Sequence, residues 1–138
     1  MFTHLRHVLL KETDATGVIY FSSLFEYSLE AFEKFLHEKG ISLSQIFAKG
    51  YFMPIVHAEA DYKAPLKAGD TLSIELTLSH IGNRSFSMDS TIKILPGLKE
   101  AGRVKIVHAF IKQGEEKASE IPSEIRDLLI ELTSQPIF

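Results

Sequence analysis

The order of hydrophobic periods in this sequence predicts an α+β fold: one long central helix wrapped by a curved antiparallel sheet of about five strands, with a further helix at the C-terminus. Three observations predict it. A wide apolar stripe at helical spacing runs from Leu24 to Leu36, the period drops to two from Thr71 onward, and helical spacing returns at Ile125. A strongly apolar helix followed by an antiparallel meander buries its stripe when the sheet curls over it.

Each element has its own local signal. Leu5 to Leu10 reads as a short first strand. From there the apolar or small residues Leu24, Phe25, Ser28, Leu29, Phe32, Phe35 and Leu36 form the helical stripe, and Glu30 to Lys34 adds a favourable i,i+4 pair. Ser22 or Ser23 supplies an N-cap, and Gly40 is placed to end the helix in a left-handed conformation. A short helical turn follows at Leu43 to Ala48, and Ile55 to Lys63 reads as a strand. In Thr71 to Ile81, Leu72, Ile74, Leu76 and Leu78 share one face, with Ser73, Glu75, Thr77 and Ser79 on the other. Gly82-Asn83 is a turn signal, and the returning run aligns Phe86, Met88, Ser90, Ile92 and Ile94, which makes a long hairpin. Pro96-Gly97 marks the next connection and Arg103 to Lys112 the next strand. Pro122 sits where the first residue of the last helix belongs, ahead of Ile125, Leu128, Leu129 and Leu132.

Composition narrows the function classes. The 138 residues carry 15 Lys+Arg against 18 Asp+Glu, a net charge of −3, and no Cys. That reads as one domain over residues 1–138, without thiolate chemistry or disulfides. Slight acidity and the absence of Trp argue against a nucleic-acid surface. No apolar run approaches the roughly 20 residues that cross a bilayer, and MFTHLRH is no signal peptide, so a cytoplasmic location with no membrane partner is expected. His4, His7, His37, His57, His80 and His108 show no ligand spacing, so no metal is expected. One helix cannot cover both faces of the sheet, and self-association follows as an expectation.

The segment Thr13-Asp14-Ala15-Thr16-Gly17-Val18-Ile19-Tyr20-Phe21-Ser22-Ser23 carries the chemistry. It brings a carboxylate, a flexible glycine and an apolar run into a helix N-terminus, where unpaired backbone N–H groups hold an oxyanion. A carboxylate beside such donors is what acyl-transfer hydrolysis needs in the absence of Ser, Cys or metal. An Asp ahead of a helix is more commonly a cap or turn residue. Asp14 stands about eight residues before the N-cap, too far to be that cap, and Val18-Ile19-Tyr20-Phe21 is unusually apolar for a surface loop.

Asp14 to Ser22 resembles the D-x-x-G-[IV]-[VI]-[YW]-[YF] signature of the hotdog-fold 4-hydroxybenzoyl-CoA thioesterase family, and Ala60 to Asp70 resembles that family's strand and turn with Y-x-x-P and G-D. Met53 to Asp61 is most similar to the 1,4-dihydroxy-2-naphthoyl-CoA hydrolase subgroup of phylloquinone synthesis. The resemblance spans nearly the whole chain. It implies an acyl-CoA substrate, no cofactor and a homo-oligomer, a dimer or tetramer. It also implies that Asp14 is the catalytic carboxylate, as nucleophile or general base, and that the Phe21 N–H is the main oxyanion donor, helped by Tyr20 or Gly17. The phosphates of CoA call for cations, for which Arg84, Lys63 and Lys67 are candidates. His57 either lines an acyl pocket or pairs with Glu59 across an interface, while Glu26 and Glu30 are alternative carboxylates. Tyr20, Phe21, Tyr51 and Phe52 suit a flat aromatic acyl group. Rival readings are a 4-hydroxybenzoyl-CoA or short-chain thioesterase, a non-catalytic acyl-CoA or acyl-carrier binding module, and a dehydratase, whose relatives use a His in another motif.

Overall fold

A computed structural model describes residues 1–133. The strands are β1 (Phe2–His7), β2 (Tyr51–Phe52), β3 (Ile55–Tyr62), β4 (Thr71–Ile81), β5 (Ser85–Leu95), β6 (Lys99–Ala109) and β7 (Ile111–Lys112), and the helices are α1 (Ser23–Glu38), α2 (Leu43–Ala48) and α3 (Ser123–Ile130). Five strands form one antiparallel sheet in the order β1-β4-β5-β6-β3, while β2 and β7 form a separate ribbon. The sheet closes over α1, as the periodicity predicts.

The helix stripe is rotated from its predicted position. Leu24, Tyr27, Ser28, Ala31, Phe32, Phe35 and Leu36 are buried, whereas Phe25 and Leu29 pack only at the edge of the core. The buried set follows i, i+3, i+4, i+7 and i+8 more closely, and Tyr27 belongs to it because its hydroxyl finds an internal partner. Burying each large side chain of this stripe contributes roughly 1.5–3 kcal/mol. The polar Ser28 faces Ser90 of β5 at 2.6 Å, so neither hydroxyl is left unpaired.

Three predicted boundaries are corrected. The first strand is Phe2–His7, not Leu5 to Leu10, because Leu9 and Leu10 are exposed on a 3-10 turn spanning Leu10–Glu12. The strand expected at Arg103 to Lys112 begins at Lys99 and breaks at Phe110, which turns into the core while β7 leaves to pair with β2. Pro122 is the N-cap of α3 instead of its first helical residue. Gly40 takes the left-handed conformation expected of it, with φ of 80°.

Two features position the site. Gly102 of β6 lies under the start of α1: a Cβ there would stand 2.7 Å from Leu24 Cδ1 and 2.9 Å from the Asp61 carbonyl oxygen. Only glycine allows the helix nose to approach the sheet this closely. At the opposite extreme, β3 is an edge strand paired on one side only, by β6, and most of its residues are exposed.

Candidate active site

The segment between the 3-10 turn and α1 folds into a small closed loop. Thr13 bridges to Ile19, the Asp14 N–H donates to the Val18 carbonyl at 2.8 Å, and Gly17 donates to the Asp14 carbonyl at 3.1 Å. Gly17 has φ of 86°, a conformation that favours glycine, so the turn depends on it for shape. The loop is docked onto the connection between β3 and β4 through the Ile19 N–H to the Leu66 carbonyl at 3.0 Å and a bridge between Val18 and Lys67.

The Asp14 carboxylate is partly exposed and is held by its own turn. Its Oδ1 accepts the Thr16 hydroxyl at 2.5 Å and the Thr16 N–H at 2.8 Å. These two donors, the hydroxyl foremost, lower its pKa below the ordinary 3.8, so it is ionised at neutral pH. The turn role usual for an Asp is therefore present. It leaves Oδ2 without a partner among the described residues.

The donors expected for an oxyanion separate into used and unused groups. Gly17 spends its N–H on Asp14, and Tyr20 donates to the Glu12 carbonyl at 3.0 Å. The N–H groups of Phe21 and Ser22 have no acceptor among the described residues. Ser22 is the N-cap of α1 but its side chain makes no capping bond, and the Ser23 hydroxyl donates away to the Glu12 carbonyl at 3.2 Å. With the Leu24 N–H, which also has no acceptor among the described residues, three unpaired amides sit at the positive end of a 16-residue helix.

Tyr62, at the end of β3, donates its hydroxyl to the Phe21 carbonyl and so fastens the helix start to the edge strand. Burial pushes its phenol pKa up, which keeps that donor protonated. Beside it lies a cleft of about 290 Å³ lined by Val18, Leu24, Tyr62, Ala64 and Pro65 among others. Val18 links the cleft to Asp14, since its carbonyl is the acceptor for the Asp14 N–H.

The other predicted residues are distributed unevenly. Lys63 and Lys67 lie at the Asp14 end of the sheet, but the Lys63 ammonium is 2.6 Å from Glu100, which Arg103 also grips. Those bonds, from Arg103 first and Lys63 second, hold the Glu100 carboxyl down at about 2. Arg84 is exposed in the turn at the far end of β4 and β5, and an eleven-residue strand separates it from Lys67 by roughly 30 Å. His57 contacts Glu59 at 3.2 Å within the same strand. Their register partners, Val107 and Lys105, place both on the sheet face turned away from α1, so in one chain the sheet itself separates them from the Asp14 loop. Glu30 is engaged by His4 at 2.7 Å and Arg6 at 2.9 Å, which takes it out of contention as a free carboxylate.

Sequence reasoning missed Glu12, Arg6 and Tyr27. Arg6 lies over the Tyr27 ring at 4.4 Å from its centroid and bonds Glu12, behind the loop. The only signal for such a group was Arg6 on the half-buried face of β1, next in that alternation to Phe2 and His4, which a short strand makes easy to overlook.

Comparison with known proteins places this geometry in context. A family model described as the Thioesterase-like superfamily matches residues 8–129. A 1,4-dihydroxy-2-naphthoyl-CoA hydrolase of Synechocystis is 32% identical over 95% of this chain and 96% of its own. The protein of the same name from Prochlorococcus marinus is 34% identical over 94% and 87%. The crystal structure of a 1,4-dihydroxy-2-naphthoyl-CoA thioesterase from Synechocystis superposes with a TM-score of 0.90 at 31% identity, covering 98% of both chains. With its sheet closed around α1 and the D-x-x-G loop leading into that helix, this chain belongs to the thioesterase-like superfamily and has the hotdog fold.

Proposed function

We propose that this protein is an acyl-CoA thioesterase, a single domain over residues 1–138, that hydrolyses an aromatic acyl-CoA to the free acid and CoA. The substrate we favour is 1,4-dihydroxy-2-naphthoyl-CoA, in the cytoplasmic synthesis of phylloquinone or menaquinone. The observation that carries this reading is the pairing of an ionised Asp14 with the unpaired Phe21 and Ser22 amides beside an apolar cleft. The names of relatives at 32% and 34% identity support the acyl group.

In this mechanism the thioester carbonyl oxygen accepts the Phe21 N–H, and the helix end stabilises the negative charge that develops there. The Asp14 carboxylate then attacks the carbonyl carbon, or takes a proton from the water that does so. Either route breaks the C–S bond, adds one water and releases the acid with the CoA thiol. Lys67 and Lys63 serve the CoA phosphates in this reading, which uses neither His57 nor Glu59.

The site is completed by a second copy. The open edge of β3 offers unpaired backbone groups, and strand-to-strand pairing there extends the sheet and roofs the cleft beside Tyr62. Arg84 reaches a CoA phosphate only from another copy. A dimer of this kind, stacked further into a tetramer, is the assembly we propose.

The test is release of free CoA thiol across aromatic, short-chain and long-chain acyl-CoA esters. Turnover of 1,4-dihydroxy-2-naphthoyl-CoA well above the others supports the reading. Binding of these esters without thiol release selects the carrier-binding alternative instead.

A further inference from the structure

We infer that Glu12 is a positioning residue for this hydrolysis, fixing the distance between the Asp14 carboxylate and the unpaired amides. The inference rests on the thioesterase reading. Glu12 is nearly buried, with 11% of its side chain exposed, and is gripped from three elements. Its Oε2 accepts Arg6 Nη2 of β1 at 2.5 Å, while its Oε1 accepts the Tyr27 hydroxyl of α1 at 3.0 Å and the Leu9 N–H of its own turn at 2.9 Å. Burial foremost, with the neighbouring Glu12, raises the pKa of Tyr27, so this donor keeps its proton over the working range of pH.

What the side chain fixes, the main chain transmits. The Glu12 carbonyl accepts the Tyr20 N–H at 3.0 Å and the Ser23 hydroxyl at 3.2 Å. Tyr20 and Ser23 flank the Phe21-Ser22 pair on either side, so one carbonyl pins both ends of the stretch that carries these two amides. Glu12 also stands two residues before the turn that begins at Asp14. Its side-chain hydrogen bonds reach neither Asp14 nor any residue that lines the cleft. Its effect therefore passes through geometry alone, and small displacements of reacting groups are costly in rate.

The experiment uses the full chain as wild type, Glu12→Gln and Tyr27→Phe. The probes are benzoyl-CoA and 1,4-dihydroxy-2-naphthoyl-CoA, read by thiol release, together with amide hydrogen exchange. Gln keeps an acceptor for Tyr27 and Leu9 but turns an amide donor toward Arg6. Glu12→Gln is expected to lower kcat about 30-fold with KM within about threefold, and to leave the acid limb of the pH profile unmoved. Exchange at the Tyr20 amide rises about tenfold, while that of Met88 in the centre of the sheet does not change. Unchanged Tyr20 exchange overturns the inference, as does a fall in kcat that only tracks the loss of folded protein. If Glu12→Gln does not fold, Tyr27→Phe decides, with about fivefold in kcat and the same exchange signature expected. Should the wild type cleave neither thioester, the thioesterase reading fails, and the exchange data still decide whether Glu12 pins the Tyr20–Ser23 stretch.

Discussion

Two carboxylates stand two residues apart in this chain and live in different surroundings. Glu12, on the 3-10 turn, is nearly enclosed and answered by a guanidinium, a phenol and an amide from three elements. Asp14, on the loop, is partly exposed, and among the described residues its carboxylate is held chiefly by Thr16, with the Val18 and Asp14 amides of the same loop adding to it. The difference teaches how a small fold divides labour. In the proposed mechanism the carboxyl behind the loop serves structure, and the carboxylate on the loop keeps an oxygen for chemistry.

The contrast breaks most visibly at Arg6. Arg6→Leu takes the guanidinium away from the nearly enclosed Glu12 carboxyl and from Glu30, and is expected to cost about 3–5 kcal/mol in urea denaturation at pH 7. Asp14→Asn is the converse case. Its amide oxygen still accepts the Thr16 N–H, so the melting temperature stays put while kcat drops at least about a hundredfold, or roughly 2.7 kcal/mol of barrier.

Titration sharpens the comparison from a third place. His108 is buried, stacked on Phe86 and bonded through Nδ1 to the Met53 carbonyl at 3.0 Å, and burial pushes its pKa below the ordinary 6.5. The folded state therefore binds fewer protons than the unfolded state between those two values. Its contribution to stability is complete above 6.5 and is lost as pH falls through that window, by up to about 1.4 kcal/mol per unit. Unfolding curves at pH 7.5 and 5.5, about one unit either side of the free imidazole value, check this against His108→Gln, which removes the dependence. Asp14 has no part in that slope, because its own depressed pKa keeps it ionised there; carboxyl NMR titration should find it below 3.8 and higher in Thr16→Ala.

The smallest effect belongs to the clamp on the helix start. Tyr62→Phe loses one hydrogen bond to the Phe21 carbonyl, and about fivefold in kcat, near 1 kcal/mol, is expected from steady-state rates.

The sequence was most legible where a repeat met a single environment. The strand Thr71–Ile81 lies where the alternation puts it, because Leu72, Ile74, Leu76 and Leu78 all meet the core, and the helix Leu43–Ala48 lies where its spacing puts it, anchored in the core by Ile46. Asp14 and Phe21 stood out through a local motif. Tyr27 and Glu12 did not, since nothing in a one-dimensional pattern marks a polar tip that finds its partner fifteen positions away. The strand break at Phe110 was equally hidden: Arg103 to Lys112 reads as continuous, and only the arrival of β2 beside β7 divides it. The chemistry of His57 and Glu59 was legible, but the face of β3 they occupy, turned from α1, is set by its register against β6.

Gly102 has a further consequence for how such a scaffold changes its diet over evolutionary time. With the nose of α1 resting against bare backbone, the hydrolytic machinery has no slack in which to retreat from a bulkier guest. Room for a new acyl group must be found by recarving the opposite wall, along β3 and the turn through Pro65, while the acid and its amides keep their stations.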